Sequence, residues 1–135
     1  MDANDSRMDV LVDSLASLTL RREAMNSVSK KNKVALEHAA AFDELVKDFG
    51  NDGREGMKRL MRHESFEVRK MAALYLLRYC HDEAKQVLQQ IAELDELEAG
   101  RIDWIMRLWY SGNWELDPGP IPENTGFGTQ ALFPD

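Results

Sequence analysis

Residues 54–79, REGMKRLMRHESFEVRKMAALYLLRY, constrain the fold more than any other part of this chain. A short amphipathic helix over 54–62, with Met57, Leu60 and Met61 on one face, leads into a turn at His63-Glu64-Ser65. Ser65 can cap a second helix over 66–79. There Val68, Met71, Ala72, Tyr75 and Tyr79 recur at helical spacing, while Leu74, Leu76 and Leu77 widen the apolar arc well beyond one stripe. Two helices of this size cannot enclose their own apolar surface, and such a pair is normally buried by stacking on further pairs. The expected fold class is therefore all-α.

The flanking sequence supplies the other helices. A helix over 7–25, capped by Asp5 or Ser6, carries the stripe Met8, Leu11, Leu15 and Leu18. Ser27 and Ser29 can cap a helix over 30–49 whose inward side is Val34, His38, Ala41, Phe42, Leu45 and Phe49. Gly50-Asn51-Asp52-Gly53 reads as a stop and turn. Beyond the central pair, Asp82 can cap a helix over 83–94 with Val87, Leu88 and Ile91 inward, and a helix over 97–111 carries Ile102, Ile105, Met106 and Trp109 before Gly112 ends it. Pro118, Pro120, Pro122 and Pro134, with Gly119, Gly126 and Gly128, make 113–135 an irregular Pro/Gly-rich tail. The sum is about six helices in one domain, 1–112: an N-terminal hairpin (7–49) and two pairs (54–79 and 83–111). The two pairs echo each other. Arg69 and Arg101 stand 32 residues apart early in the second helix of each pair, with Ala73 matching Ile105 and Leu76 matching Leu108.

Charge narrows the function classes. The net charge of -7 opposes unspecific binding to nucleic acid or anionic membrane. It is unevenly spread: 51–80 carries 7 basic and 4 acidic groups, 81–135 carries 3 basic and 11 acidic. A single cysteine, Cys80, excludes an intrachain disulfide and suits a reducing compartment. The acidic, polar start is unlike a secretory signal, and no apolar run approaches the ~20 residues of a membrane span. A cytoplasmic protein with no membrane contact is expected.

His63-Glu64-Ser65-Phe66-Glu67-Val68-Arg69, followed by Ala72-Ala73 and Leu76, resembles the turn and inner helix of a HEAT-like repeat, with Ser65-Phe66 where that family often has Asp-Pro. Over roughly 8–110 the chain is also similar to a small bacterial family of HEAT-like proteins of unknown function, through Leu11-Val12, Leu15, Asn32, Phe42-Asp43 and Leu45. The resemblance implies a short right-handed α-α solenoid and protein–protein binding, as in an adaptor or an immunity-type protein.

Signs of chemistry are few. The glycines at 50 and 53 lack the following Lys-Ser/Thr of a phosphate loop. His38 sits on an apolar face as a core histidine, His63 lies in a turn, and Cys80-His81 reads as a buried cysteine beside a turn histidine. Asp95, Glu96 and Glu98 cluster at the turn between the last two helices, and Glu98 would enrich the first turn of the last one, where the backbone dipole favours negative charge. No catalytic, cofactor or metal site is expected. The candidate binding surface is the mixture of apolar and charged residues on the second helix of each pair: Lys70, Leu74, Leu77 and Arg78 on one, and Glu96, Glu98, Asp103, Trp104 and Arg107 on the other. Its expected partner is another protein, one with a basic surface to suit the acidic C-terminal half. The competing reading is nucleic-acid binding by 54–78 through Arg59, Arg62, Arg69, Lys70 and Arg78.

Overall fold

The computed structural model describes residues 3–94, 96–112 and 116, with side chains from Ser6 onward. Among these the chain is all-α, with no strand. Its elements are α1 (Ala3–Glu23), α2 (Val28–Met57), a 3-10 turn (Lys58–Arg62), α3 (Phe66–Tyr75), α4 (His81–Ala92) and α5 (Glu96–Tyr110). The expectation of an irregular Pro/Gly-rich tail lies outside the described residues but for position 116, as does that for Asp95.

Five α-helices replace the expected six or so. The glycine stop is real, but it makes a corner instead of a loop. Gly50 takes φ 55° and ψ -130°, a conformation that costs an L-residue far more than glycine, and helical backbone resumes at Asn51. The helix expected to begin at Arg54 is thus the last turn of α2, tightening into the 3-10 turn after Met57. Gly53 has a different reason to be glycine. A Cβ there would lie 2.9 Å from Leu45 Cγ and 3.0 Å from the Leu45 carbonyl oxygen, so the bent helix folds back too closely for a side chain.

The chain divides into two compact units, Met1–Met71 and Ala72–Asp135, with the boundary inside α3. In the first, α1 and α2 form an antiparallel hairpin. Leu11, Val12, Leu15 and Ala16 of α1 are buried, as are Val34, Phe42, Leu45 and Met57 of α2. The stripe on α1 is thus shifted from the expected one, with Met8 and Leu18 half-buried at its edge. Ser27 caps α2 as expected, accepting a bond from the Lys30 amide at 3.3 Å, whereas Ser29 lies inside the helix. Ion pairs fix the register: Arg7 with Glu44 (3.2 Å) and Asp48, Arg21 with Glu37. Arg7 also lies 5.5 Å from the centre of the Phe49 ring. The 3-10 turn is held to the hairpin by Arg59, which donates to Asp13 at 2.7 Å.

Along α3 and the turn after it the buried set is Val68, Ala72, Ala73, Leu76 and Leu77, each fully shielded. Tyr75, Tyr79 and Met71, expected inward, are only half-buried. The helix ends at Tyr75, earlier than expected: after the four-residue bond from Leu76 N–H to Ala72 O (2.9 Å), three-residue bonds intervene, Leu77 N–H to Leu74 O at 3.5 Å and Tyr79 N–H to Leu76 O at 3.1 Å, before Cys80 N–H closes on Leu76 O at 2.8 Å.

In the second unit α4 and α5 pack as an antiparallel pair. Ala84, Leu88 and Ile91 of α4 and Ile102 and Trp109 of α5 are buried. Cys80, not Asp82, stands at the N-cap of α4, and it caps with no side-chain bond; Asp82 and Glu83 occupy the first turn. The His81 ring stacks on Trp109, centroids 5.3 Å apart and planes 22° from parallel, tying the start of α4 to the end of α5. Gly112, at φ 83°, closes α5 as expected.

Candidate functional site

On α5 the buried residues Glu98, Ile102 and Trp109 define one side of the helix. The opposite side therefore carries Leu97, Gly100, Trp104, Arg107 and Ser111. Leu97 is 64% and Trp104 63% exposed, high for an aliphatic and an indole side chain on one helix face. Arg107 pairs with Asp103 at 3.1 Å along the edge of this stripe, and Glu96 stands exposed at its start.

Gly100 lies between the two large apolar groups. A glycine within a helix costs roughly 0.5–1 kcal/mol relative to alanine, so it normally answers a steric or conformational need. Neither exists within the described chain: a Cβ at Gly100 would meet nothing within 4 Å, and positive φ among the described glycines is confined to Gly50 and Gly112. The surface thus has an apolar knob, Trp104, one helical turn from a notch at Gly100. Sequence reading singled out Trp104 but passed over Leu97 and Gly100. Stepping back by four and seven residues from Trp104 would have found both.

The other predicted residues fall differently. Leu77 is fully buried and presents no surface to a partner; it completes the packed turn after α3. Glu98 is also buried, 4% exposed, with its carboxylate held by Arg101 Nη1 at 3.1 Å. Leu74 and Arg78 are half-buried. Lys70 is half-buried too, its ammonium 6.0 Å from the centre of the Phe66 ring, and it belongs to the first compact unit. Of the nine candidates, Glu96, Asp103, Trp104 and Arg107 share the exposed side of one helix.

The basic residues proposed for nucleic acid are largely occupied. Arg59 is bonded to Asp13, and Arg69 donates to the carbonyls of His63 (2.7 Å) and Glu64 (3.0 Å), bracing the turn before α3. In that turn His63 Nδ1 accepts from the Ser65 amide at 3.0 Å, and the Ser65 hydroxyl donates to Glu67 at 2.7 Å. Arg101, matched to Arg69 in the internal repeat, bonds a side chain of its own helix, so the two arginines serve different ends.

Nothing in the histidines gathers into a catalytic arrangement. Burial, aided by nearby Arg22, lowers the His38 pKa to about 4, so the ring is neutral at physiological pH. Burial and then Lys85 lower that of His81, partly offset by Asp82 and a backbone bond at Leu77. Among the described residues no three His, Cys, Asp or Glu side chains are grouped to hold a metal ion. An open depression of about 680 Å³ follows α2 past Glu37, Ala40, Asp43, Glu44 and Asp48, but three of these acids already serve the hairpin ion pairs. No helix among the described residues is long and apolar enough to cross a membrane. Comparison of the chain with family models, curated proteins and solved structures gives no match.

Proposed function

We propose that this chain is a non-catalytic protein-binding module of the cytoplasm, an adaptor or immunity-type protein that engages its partner through the outer side of α5. The observation that carries the reading is the exposed Trp104, flanked by Leu97 and by Glu96, Asp103 and Arg107. An aromatic anchor ringed by charge is the composition of an interface hot spot, and an indole held in water is otherwise a liability for solubility. With it goes a finer reading of the architecture, a short right-handed α-α solenoid of HEAT-like pairs. Support for that comes from the HEAT-like turn sequence and the antiparallel α4–α5 pair.

Replacing Trp104 by a photo-crosslinking residue in living cells tests the binding reading. Adducts should form at position 104 and be absent from an equally exposed control, Leu36 on α2. Equal labelling at both positions, or none at 104, would remove α5 as the binding side.

A further inference from the structure

The notch at Gly100 and the knob at Trp104 lie on one helix, one turn apart. A surface that carries both a projection and a matching recess can fit a copy of itself turned end for end, the arrangement that a twofold axis produces. We propose that α5 is a self-docking helix: two copies of this chain pair α5 against α5, antiparallel, with Trp104 of each seated on Gly100 of the other. This rests on the binding reading above and names the partner as a second copy.

The charges agree with that register. Placing residue 100 opposite residue 104 sets the sequence numbers of facing residues to a constant sum near 204, so Leu97 faces the stem of the partner's Arg107 and Glu96 lies beside its guanidinium. Glu96 and Arg107 fall on the same flank of the helix, as antiparallel pairing requires, and they carry opposite charge. Asp103 meets its counterpart near the axis, with its charge already countered by its own Arg107 at 3.1 Å. On the other flank Arg101 approaches Arg101 of the second copy, each neutralised by its own Glu98 at 3.1 Å. A fifteen-residue helix offers a contact well under the size of a permanent dimer interface, so the association is weak and reversible.

The purified full-length chain, studied by sedimentation equilibrium, tests the proposal. A reversible monomer–dimer equilibrium should develop between roughly 5 and 500 µM, the range of a small interface. Gly100→Leu fills the notch at a position where an added Cβ meets nothing within 4 Å, so its helicity and melting temperature should hold or rise while dimerisation weakens at least about tenfold. In an Asp103→Asn background, which removes the intrachain partner of Arg107, charge reversal at Glu96 or at Arg107 alone should weaken the dimer, and the double exchange, Glu96→Arg with Arg107→Glu, should restore it. A chain that stays monomeric to about 500 µM overturns the proposal. So does a Gly100→Leu variant that dimerises like the parent, or a double exchange that fails to rescue. A monomeric chain that still forms adducts with a different protein at position 104 would sink self-docking alone, whereas absent adducts would sink the binding reading itself.

Discussion

His38 gives the sharpest test of how the N-terminal hairpin is held together. Its side chain is buried on α2, and desolvation, with Arg22 nearby, lowers its pKa from 6.5 to about 4. The unfolded chain takes up a proton at His38 as the pH falls through 6.5, but the folded chain does so only near 4. Protons then favour the unfolded state. The stability associated with the neutral ring is complete above pH 6.5 and declines by up to ~1.4 kcal/mol per pH unit as the pH falls toward 4, a total of roughly 3 kcal/mol. That is a large share of the 5–15 kcal/mol typical of a small domain. Urea unfolding followed by far-UV circular dichroism, from pH 7.5 to 4, should be run on the wild type and on His38→Phe. The other ionisable groups are common to both proteins and cancel in the difference. The difference in unfolding free energy should slope between pH 6.5 and 4 and be flat above. A flat difference throughout, or a His38 imidazole titrating near 6.5 by NMR, would refute the claim that burial sets its charge.

Three further outcomes follow from packing and charge. Gly53→Ala forces a Cβ against Leu45 and its carbonyl oxygen, and should cost about 1–3 kcal/mol, read as a lower melting temperature. Trp109→Ala empties the largest fully buried side chain of the second unit and removes the ring stacked on His81; a loss of about 3–5 kcal/mol is expected in denaturant titrations. The Arg59–Asp13 pair, with side chains 48% and 66% exposed, should show a double-mutant coupling below about 1 kcal/mol that shrinks as salt is added.

The amphipathic periodicity of α2 and α4 made their inward sides legible, because one narrow apolar stripe per helix has one way to face a core, whereas the weaker stripe of α1 was read a little off its buried side. Val34, His38, Phe42 and Leu45 were legible as the inward side of α2 for that reason. The segment after Ser65 was harder. With apolar residues on most sides, periodicity could not say that Leu76 and Leu77 would be shielded with Ala72 and Ala73 while Tyr75 and Tyr79 stayed partly open. Cys80 stands in place of Asp82 as the cap of α4: the helix starts earlier than side-chain capping preference suggests, at His81, whose ring stacks on Trp109. On the candidate binding side, the aromatic residue stood out in the sequence. The glycine beside it did not, since only the fold shows that no described residue nearby requires a glycine there.

The corner in α2 bears on how this chain can change length over evolutionary time. Gly50 supplies the reversed dihedral and Gly53 the clearance, so their spacing is set by geometry at both ends. Inserting or deleting one residue between them would swing everything that follows by about 100° around the helix axis. Met57, Leu60 and Met61 would leave the interior together. The connection at 24–27, between α1 and the Ser27 cap, has no such lock. Descendants of this sequence should therefore accumulate insertions and deletions between the first two helices and keep the count from Gly50 to Met61 unchanged.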